Sequence, residues 1–568
     1  MKYDNNWLRK VYEKNGFSVL PETDSIYVKT QHGVSAEAQF ELLSWGLDQG
    51  FPFEPLVYLI SGNDTFGKIA HVTSFGDICI GTSQSFNVDY DNPEAVAIAG
   101  LKKAVEIVSK GLSDPKWNTA ELISEFQPMW QRLSQSGQRL FCIAEPGELP
   151  QRLHCLSEKK GAKGWRDKAR VVHGENPSQS INNWVWRLRA GRNEKGKGLL
   201  IPLERMMPAP AERKDIASWI MHLFNVQSAV FRHNVRDVFR RNKSKELIIV
   251  FFGNAKDGPI WFSLLCSTPE KIELGLSSEE LSRWKFEPLL LETPISKNRL
   301  LPRGGANTCL NNAKVCVIGC GSVGGYVADQ LASSGVCNLH LIDGEDFRTE
   351  NVHRHILDAR CIGVAKSLGL RKYLEEKYPF LVCTDVSDGF EVNGGVANLE
   401  EFDLVILTTG NMTLERRITE AVYDLVKPPM LVSAWVEAYG LGGHAALTIP
   451  GKEGCLSCVF RDEATCQFSL HPKLSFIEEG QYVVTRHAGC GFEYISYSNV
   501  DAIQTAVVAT RLGINGLLGK YPHGISLSWR GADLLAHEHS VNVSERYKSN
   551  EGALTELPLY TGGCDVCQ

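Results

Sequence analysis

Val315-Cys316-Val317-Ile318 runs directly into Gly319-Cys320-Gly321-Ser322-Val323-Gly324 and then into a helical pattern through Ala332. A short apolar strand that breaks on glycines and resumes as a helix is the start of a parallel βαβ unit, which commits this region to an α/β sheet. Glycines at a helix N-terminus let backbone N–H groups approach a phosphate closely. The next strand, Asn338-Leu339-His340-Leu341-Ile342, ends in Asp343. A carboxylate about 20 residues past such glycines suits a ribose diol. These features alone fit a dinucleotide oxidoreductase as well as an ATP enzyme, and the glycines would also suit plain helix–strand packing.

Downstream cations separate these readings. Asn351-Val352-His353-Arg354 follows Asp343, and Lys366 closes Gly363-Val364-Ala365-Lys366. Hydride transfer needs no Arg and Lys here, whereas attack on the α-phosphate of ATP gathers charge on phosphoryl oxygens. Glycine loop, strand ending in Asp, Asn-x-x-Arg and a later Lys, in that order, resemble the ThiF/MoeB and ubiquitin-activating superfamily over residues 310–568. The resemblance implies a Rossmann-type adenylation domain that binds ATP at Gly319, Gly321, Gly324, Asp343, Asn351, Arg354 and Lys366. Asp343 would hold the ribose, and Asn351, Arg354 and Lys366 the triphosphate. There is one departure. Phe402-Asp403-Leu404-Val405-Ile406-Leu407 leads into Thr408-Thr409-Gly410-Asn411, with Gly410 where the family places a magnesium-binding Asp. Mg2+ would then fall to another carboxylate such as Asp343 or Asp346, or to the phosphates alone.

The chain has 16 cysteines and no signal-peptide pattern in Met1-Lys2-Tyr3-Asp4-Asn5-Asn6, so a cytoplasmic location and reduced thiols are expected. Cys142, Cys266, Cys316 and Cys383 sit in apolar runs and read as small buried hydrophobes. Cys455-Leu456-Ser457-Cys458 and Cys564-Asp565-Val566-Cys567 are two CxxC pairs. Four thiolates from such pairs make a closed tetrahedral Zn2+ site, which is structural; redox pairs or loose thiols are the alternative. Paired motifs of this kind recur in ThiF/MoeB-like domains. Cys490 lies between them in His487-Ala488-Gly489-Cys490-Gly491-Phe492, ahead of Ser498-Asn499-Val500-Asp501, a capping-box pattern for a helix to about Leu512. A glycine-flanked loop near a helix N-terminus can expose and stabilise a thiolate. The resemblance to ubiquitin-activating proteins makes Cys490 the thioester nucleophile, with Cys466 or a packing role for Cys490 as alternatives.

At 568 residues the chain exceeds one hydrophobic core, and breaks are expected near residues 137 and 300. In the first segment Gly50-Phe51-Pro52-Phe53-Glu54-Pro55 precedes the strand Leu56-Val57-Tyr58-Leu59-Ile60. His71-Val72-Thr73 and Gly76-Asp77-Ile78-Cys79-Ile80 follow, then a helical run from Pro93 to about Ser109. Strands followed by helices predict an α+β domain. This order resembles a ubiquitin-conjugating domain over residues 15–135, with Cys79 at the catalytic position; a buried strand residue is the bland reading of Cys79. The family's His-Pro-Asn is reduced to His71-Val72-Thr73, so backbone N–H groups near Cys79 or another side chain must stabilise an oxyanion. The middle segment predicts a hairpin around Asn254-Ala255-Lys256-Asp257-Gly258 and a helical pattern from Ile216 to Phe239, with no catalytic constellation.

The expected chain is therefore α/β with three parts. Residues 1–137 form an α+β ubiquitin-conjugating-like domain, 138–300 an α+β middle domain, and 301–568 a ThiF/MoeB-like Rossmann-type adenylation domain with a zinc site. The resemblance implies ATP-dependent activation of a protein C-terminus, a thioester on Cys490, transfer to Cys79 and conjugation to a target. Fused proteins of this layout resemble those of bacterial antiphage CBASS operons. The donor would be a cGAS-like nucleotidyltransferase or a ubiquitin-like protein, and the enzyme a homodimer, with Arg303 a candidate to reach the partner's ATP site. Sulfur-carrier adenylation without Cys79, or a non-catalytic nucleotide-binding scaffold, are the competing classes. A net charge of −6 and the lack of a long apolar run point away from nucleic-acid and membrane partners.

Overall fold

In a computed structural model of the chain, the described residues are 3–20, 26–30, 38–42, 51–53, 56, 58–60, 68–73, 76–81, 89–134, 139–156, 170–174, 178–187, 194–292, 294–391, 395–481, 483–486, 493–550, 552 and 554–567. The chain divides into two compact units, Met1–Glu175 with Leu188–Ile295, and Asn176–Arg187 with Ser296–Gln568. No helix among the described residues is long and apolar enough to cross a membrane.

The first unit begins with the helix Asn5–Lys14, capped by the Asp4 carboxylate accepting the Trp7 N–H at 2.8 Å. Leu8, Val11 and Tyr12 recur at helical spacing and are buried. A five-stranded sheet follows, its strands Ser18–Leu20, Ile26–Thr30, Ala38–Leu42, Tyr58–Ile60 and Asp77–Ile78 paired antiparallel in chain order. The helix Pro93–Ser113 starts on a proline and buries Ala97, Leu101, Ala104 and Val108 in the core shared with Tyr58. It extends past the expected end near Ser109. Asp114 caps the next helix, Pro115–Ser124, and Phe126–Leu133 follows.

The same unit contains a closed barrel. Its strands, in neighbour order, are Ser244–Ala255, Gly258–Ile272, Lys285–Leu291, Arg139–Ile143, Arg170–Gly174, Gln151–Leu156 and Glu194–Pro202, which pairs back onto the first. The expected hairpin is the Ser244–Ala255 and Gly258–Ile272 pair, turning at Gly258 with φ +132°. Alternation divides its residues between two cores. Ile248 and Val250 join Cys142, Val172 and Trp261, whereas Leu247, Ile249 and Phe251 pack with Trp219, Phe224 and Phe239. The helical pattern from Ile216 to Phe239 is two helices, Ile216–Asn225 and Ala229–Arg241. The break has a cause. Buried Gln227 accepts the Glu204 and Arg205 N–H groups at 2.9 and 3.0 Å, and Ser228 caps the second helix.

The second unit is built on an eight-stranded sheet: Val382–Val386, Asn338–Ile342, Lys314–Ile318, Leu404–Leu407, Met430–Val436, Gly442–Thr448, Ile525–Arg530 and Leu554–Pro558. The first five are parallel and the rest antiparallel. Val405, Ile406 and Leu407 are wholly buried, as expected of strands covered on both faces. The helix Asn499–Leu517 buries Ala502, Ala506, Ala509 and Leu512 against this sheet. A Cβ on its Gly513 would lie 2.9 Å from Leu404, so the small residue sets the approach.

Candidate active site

The strands Lys314–Ile318, Asn338–Ile342 and Leu404–Leu407 lie side by side, where the chain order of the parallel sheet reverses. Open α/β sheets offer their ligand crevice at the carboxyl ends of such strands. Gly319 has φ +91°, and a Cβ on it would stand 2.6 Å from the Thr408 carbonyl oxygen. A Cβ on Gly324 would lie 1.8 Å from the Gly319 carbonyl oxygen. Neither position admits a side chain. A Cβ on Gly321 would meet nothing within 4 Å, so this part of the loop borders open space.

Three side chains fix the loop backbone. Thr408 Oγ1 donates to the Gly319 carbonyl at 2.7 Å. Asp343 Oδ2 accepts the Cys320 N–H at 2.6 Å, and its Oδ1 accepts the Glu345 N–H at 2.8 Å. His355 Nδ1 accepts the Leu357 N–H at 3.0 Å, which leaves the ring proton on Nε2, 2.6 Å from the Cys320 carbonyl oxygen. The Cys320 peptide is thus held from both sides. Burial pushes His355 down to about 4, so the ring is neutral, and burial raises the Asp343 carboxyl above its ordinary range.

Lys366 is buried at the start of the helix Lys366–Lys377, and its ammonium pairs with Glu345. Its charge also favours ionised Asp343. The Arg354 guanidinium lies 5.5 Å from the centre of the Tyr497 ring, and the Tyr497 hydroxyl is 2.7 Å from Ser322 Oγ. Gly319, Gly321, Gly324, Asp343, Lys366 and Arg354 therefore gather around one loop. Asn351 acts locally: its Oδ1 accepts the Arg348 N–H at 2.9 Å and closes its own 3-10 turn.

The glycine at 410 has a backbone reason. Its φ is +70°, in the left-handed region that favours glycine. Buried Glu415 reaches back to this turn, its Oε1 accepting both the N–H and the hydroxyl of Thr409 at 2.9 Å. Burial pushes its carboxyl up to about 7. Asp346 is exposed and forms a backbone bridge with Ala365.

The four cysteines of the CxxC pairs are buried together. Sγ separations are 3.9 Å for Cys455 and Cys458, 3.7 Å for Cys455 and Cys564, and 3.5 Å for Cys458 and Cys567. All four ligand atoms lie within 4.8 Å of one another. Thiolates about 2.3 Å from a tetrahedral Zn2+ stand about 3.8 Å apart, so the cluster fits that ion.

Residues 299–493 match the ThiF family. This part of the chain is the ThiF-matching region. The chain is similar to the ATP-dependent ubiquitin transferase-like protein Cap2 of Vibrio cholerae, with 28% identity over 502 residues covering 82% of this chain and 80% of the relative. It is 21% identical over 541 residues to Cap2 of Pseudomonas aeruginosa, covering 90% of this chain and 92% of that protein. Similarity to the adenylyltransferase and sulfurtransferase MOCS3 of Aedes aegypti is shorter, 27% over 188 residues, 33% of this chain and 40% of the relative. The Cap2 likeness thus extends well beyond the ThiF-matching region.

Within the ThiF-matching region, Cys490 lies outside the described residues. The strands Val484–Arg486 and Glu493–Ile495 on either side of it pair antiparallel. The expected capping box is present: Asp501 Oδ2 accepts the Ser498 N–H at 2.7 Å and Ser498 Oγ accepts the Asp501 N–H at 3.3 Å. Its helix runs beyond Leu512 to Leu517. Cys466 is partly buried with φ +57°, and a Cβ on Gly562 would sit 3.3 Å from its sulfur. Arg303 is exposed at the end of the helix Lys297–Arg303.

The four cysteines expected to be small buried hydrophobes, Cys142, Cys266, Cys316 and Cys383, are buried, whereas Cys79 is exposed. Cys79 borders a cavity of about 360 Å³ with His71, Lys103, Lys110, Trp117 and Glu125. Its N–H donates to the His71 carbonyl at 2.7 Å, so that group is already engaged. Sequence reasoning missed His355, Tyr497 and Glu415. His355 directly follows the Asn-x-x-Arg signal and Tyr497 directly precedes the capping box, but no periodicity marks which neighbour folds back onto the loop.

Proposed function

We propose that this chain uses ATP to activate the C-terminal carboxylate of a donor protein and passes the acyl group to a target. The observation that carries this reading is the glycine loop held by Asp343 and His355, with Lys366 and Arg354 beside it. The donor carboxylate attacks the α-phosphate of ATP, the bond to pyrophosphate breaks, and an acyl-adenylate forms. Lys366 and Arg354 offset charge on the phosphoryl oxygens as that bond breaks. Asp343 and the glycine loop hold the nucleotide, and Mg2+ would be held by a carboxylate such as Asp343 or Asp346, or by the phosphates alone. The Cys490 thiolate attacks the acyl carbon and AMP leaves. The Cys79 thiolate then takes the acyl group and frees Cys490, and an amine or another nucleophile on the target takes it from Cys79, releasing the Cys79 thiolate. Tethering both cysteines on one chain raises their effective concentration for the exchange.

The four cysteines Cys455, Cys458, Cys564 and Cys567 would hold a structural Zn2+ that ties together two segments distant along the chain. The division into 1–137, 138–300 and 301–568, the ubiquitin-conjugating-like character of the first part and a homodimer belong to the same proposal. Likeness to Cap2 supports an antiphage CBASS setting, with a cGAS-like nucleotidyltransferase or a ubiquitin-like protein as donor. Likeness to MOCS3 favours one alternative, adenylation of a sulfur carrier with Cys79 idle.

The test is incubation with ATP, Mg2+ and candidate donors, resolved with and without reductant. The proposal expects a reductant-sensitive adduct that is lost in Cys490→Ala, and in Cys79→Ala charging at Cys490 with no onward transfer. An adduct unchanged in Cys490→Ala refutes the first capture step.

A further inference from the structure

His71 has a left-handed backbone, φ +63°, which its β-carbon disfavours. Glu125 holds that bend from two directions. One carboxylate oxygen accepts the His71 N–H at 2.6 Å, and the other lies 2.6 Å from ring Nδ1. The second ring nitrogen, Nε2, is 3.6 Å from Glu121. Glu121 in turn pairs with Lys256 of the barrel hairpin at 2.5 Å. The consequence reaches the thiol directly, because the carbonyl of this bent residue is the acceptor of the Cys79 N–H at 2.7 Å.

We propose that His71, clamped between Glu125 and Glu121, is a positioning residue for acyl transfer at Cys79, setting the turn that presents the thiol to the adjoining cavity. The inference rests on the reading of Cys79 as the second acyl carrier. An N–H committed to His71 cannot stabilise an oxyanion, so the clamp fixes the sulfur and leaves that stabilisation to the cavity's side chains. Lys103 and Lys110 are its cations, with Lys103 paired to Glu106 at 3.1 Å and the Lys110 ammonium 4.7 Å from the Trp117 ring centre.

The clamp is charge-assisted, which gives it a signature. The hydrogen bond to Glu125 raises the His71 pKa above its ordinary value, with both carboxylates adding to the effect. The groups facing the ring are Glu125, Glu121 and Trp117 from the helical segment after Asp114, with Lys103, Glu106 and Lys110 from Pro93–Ser113 lining the same cavity. Thr73 and Asp77 lie on its own turn, and Lys256 acts through Glu121.

The experiment loads the full chain with a donor, isolates the Cys79 thioester and follows its discharge to a primary amine in single turnovers across neutral to alkaline pH. In Glu125→Gln the shape of the side chain is kept and its charge lost. Discharge is expected to slow about tenfold, as for one weakened charge-assisted hydrogen bond, and its pH profile to shift to lower pH. Glu121→Gln should give a smaller change in the same direction. A merely structural residue would scale the profile without moving it. Unchanged rates and an unshifted profile in both variants overturn the clamp. Conjugate formation that survives Cys79→Ala overturns the Cys79 reading instead.

Discussion

Replacing His355 with Gln would keep a donor near the Cys320 carbonyl but remove both the acceptor for the Leu357 N–H and a buried titrating group. The folded ring titrates at about 4 against an ordinary 6.5, because burial disfavours its charged form. The unfolded chain therefore binds more protons between these values. Stability from the neutral ring is complete above pH 6.5 and is lost as pH falls towards 4. At about 1.4 kcal/mol per pH unit, this amounts to about 3 kcal/mol across the window. Glu415 acts oppositely over an overlapping range. Its carboxyl, raised by burial from 4.5 to about 7, favours the folded state in acid and gives up that advantage as pH rises. Whole-chain stability curves would partly cancel the two, so the variant must be compared with the parent at each pH. Hydrogen exchange of peptides covering residues 315–325, corrected for the intrinsic pH dependence of exchange, reports the loop itself. The parent's excess protection over His355→Gln should shrink by on the order of a hundredfold between pH 7 and 4. A difference that stays flat with pH refutes the assignment of a neutral, loop-holding His355.

Gly319→Ala forces a Cβ to 2.6 Å from the Thr408 carbonyl at a φ of +91°, and ATP–pyrophosphate exchange should fall by about a hundredfold or more. Elemental analysis of the purified chain should find zinc, and Cys458→Ser should lose it and lower the melting temperature by more than about 5 °C. Zinc content unchanged in that variant would refute the four-thiolate site. Glu415→Gln should gain stability relative to the parent from pH 5 to 8, measured by denaturant unfolding, because the parent must ionise a buried carboxyl over that range.

Much of this chemistry is local in sequence. The strand–glycine–helix unit, Asp343 at the end of the next strand, and the capping box at Ser498 each depend on residues within a few turns, so spacing alone indicated them. The helical pattern from Ile216 to Phe239 misled because hydrophobic periodicity continues through a break made by Gln227, whose partners Glu204 and Arg205 are remote in sequence. Gly410 looked like a missing magnesium ligand when read as a motif position. The left-handed turn and Glu415 beneath it give that glycine a structural role as well.

By itself the sequence determined that a glycine loop between a strand and a helix, two CxxC pairs and a cysteine after a glycine turn exist on one chain. Those are statements about residue type and spacing, which sterics and ligand chemistry constrain directly. Only the tertiary structure decided which groups hold them in place. His355 reaches the Cys320 carbonyl, Tyr497 reaches Ser322, and Glu125 closes on His71, each from a segment distant along the chain. Such partners are favoured by burial, which makes an unpaired enclosed polar group costly, and that cost becomes visible only once the chain is packed.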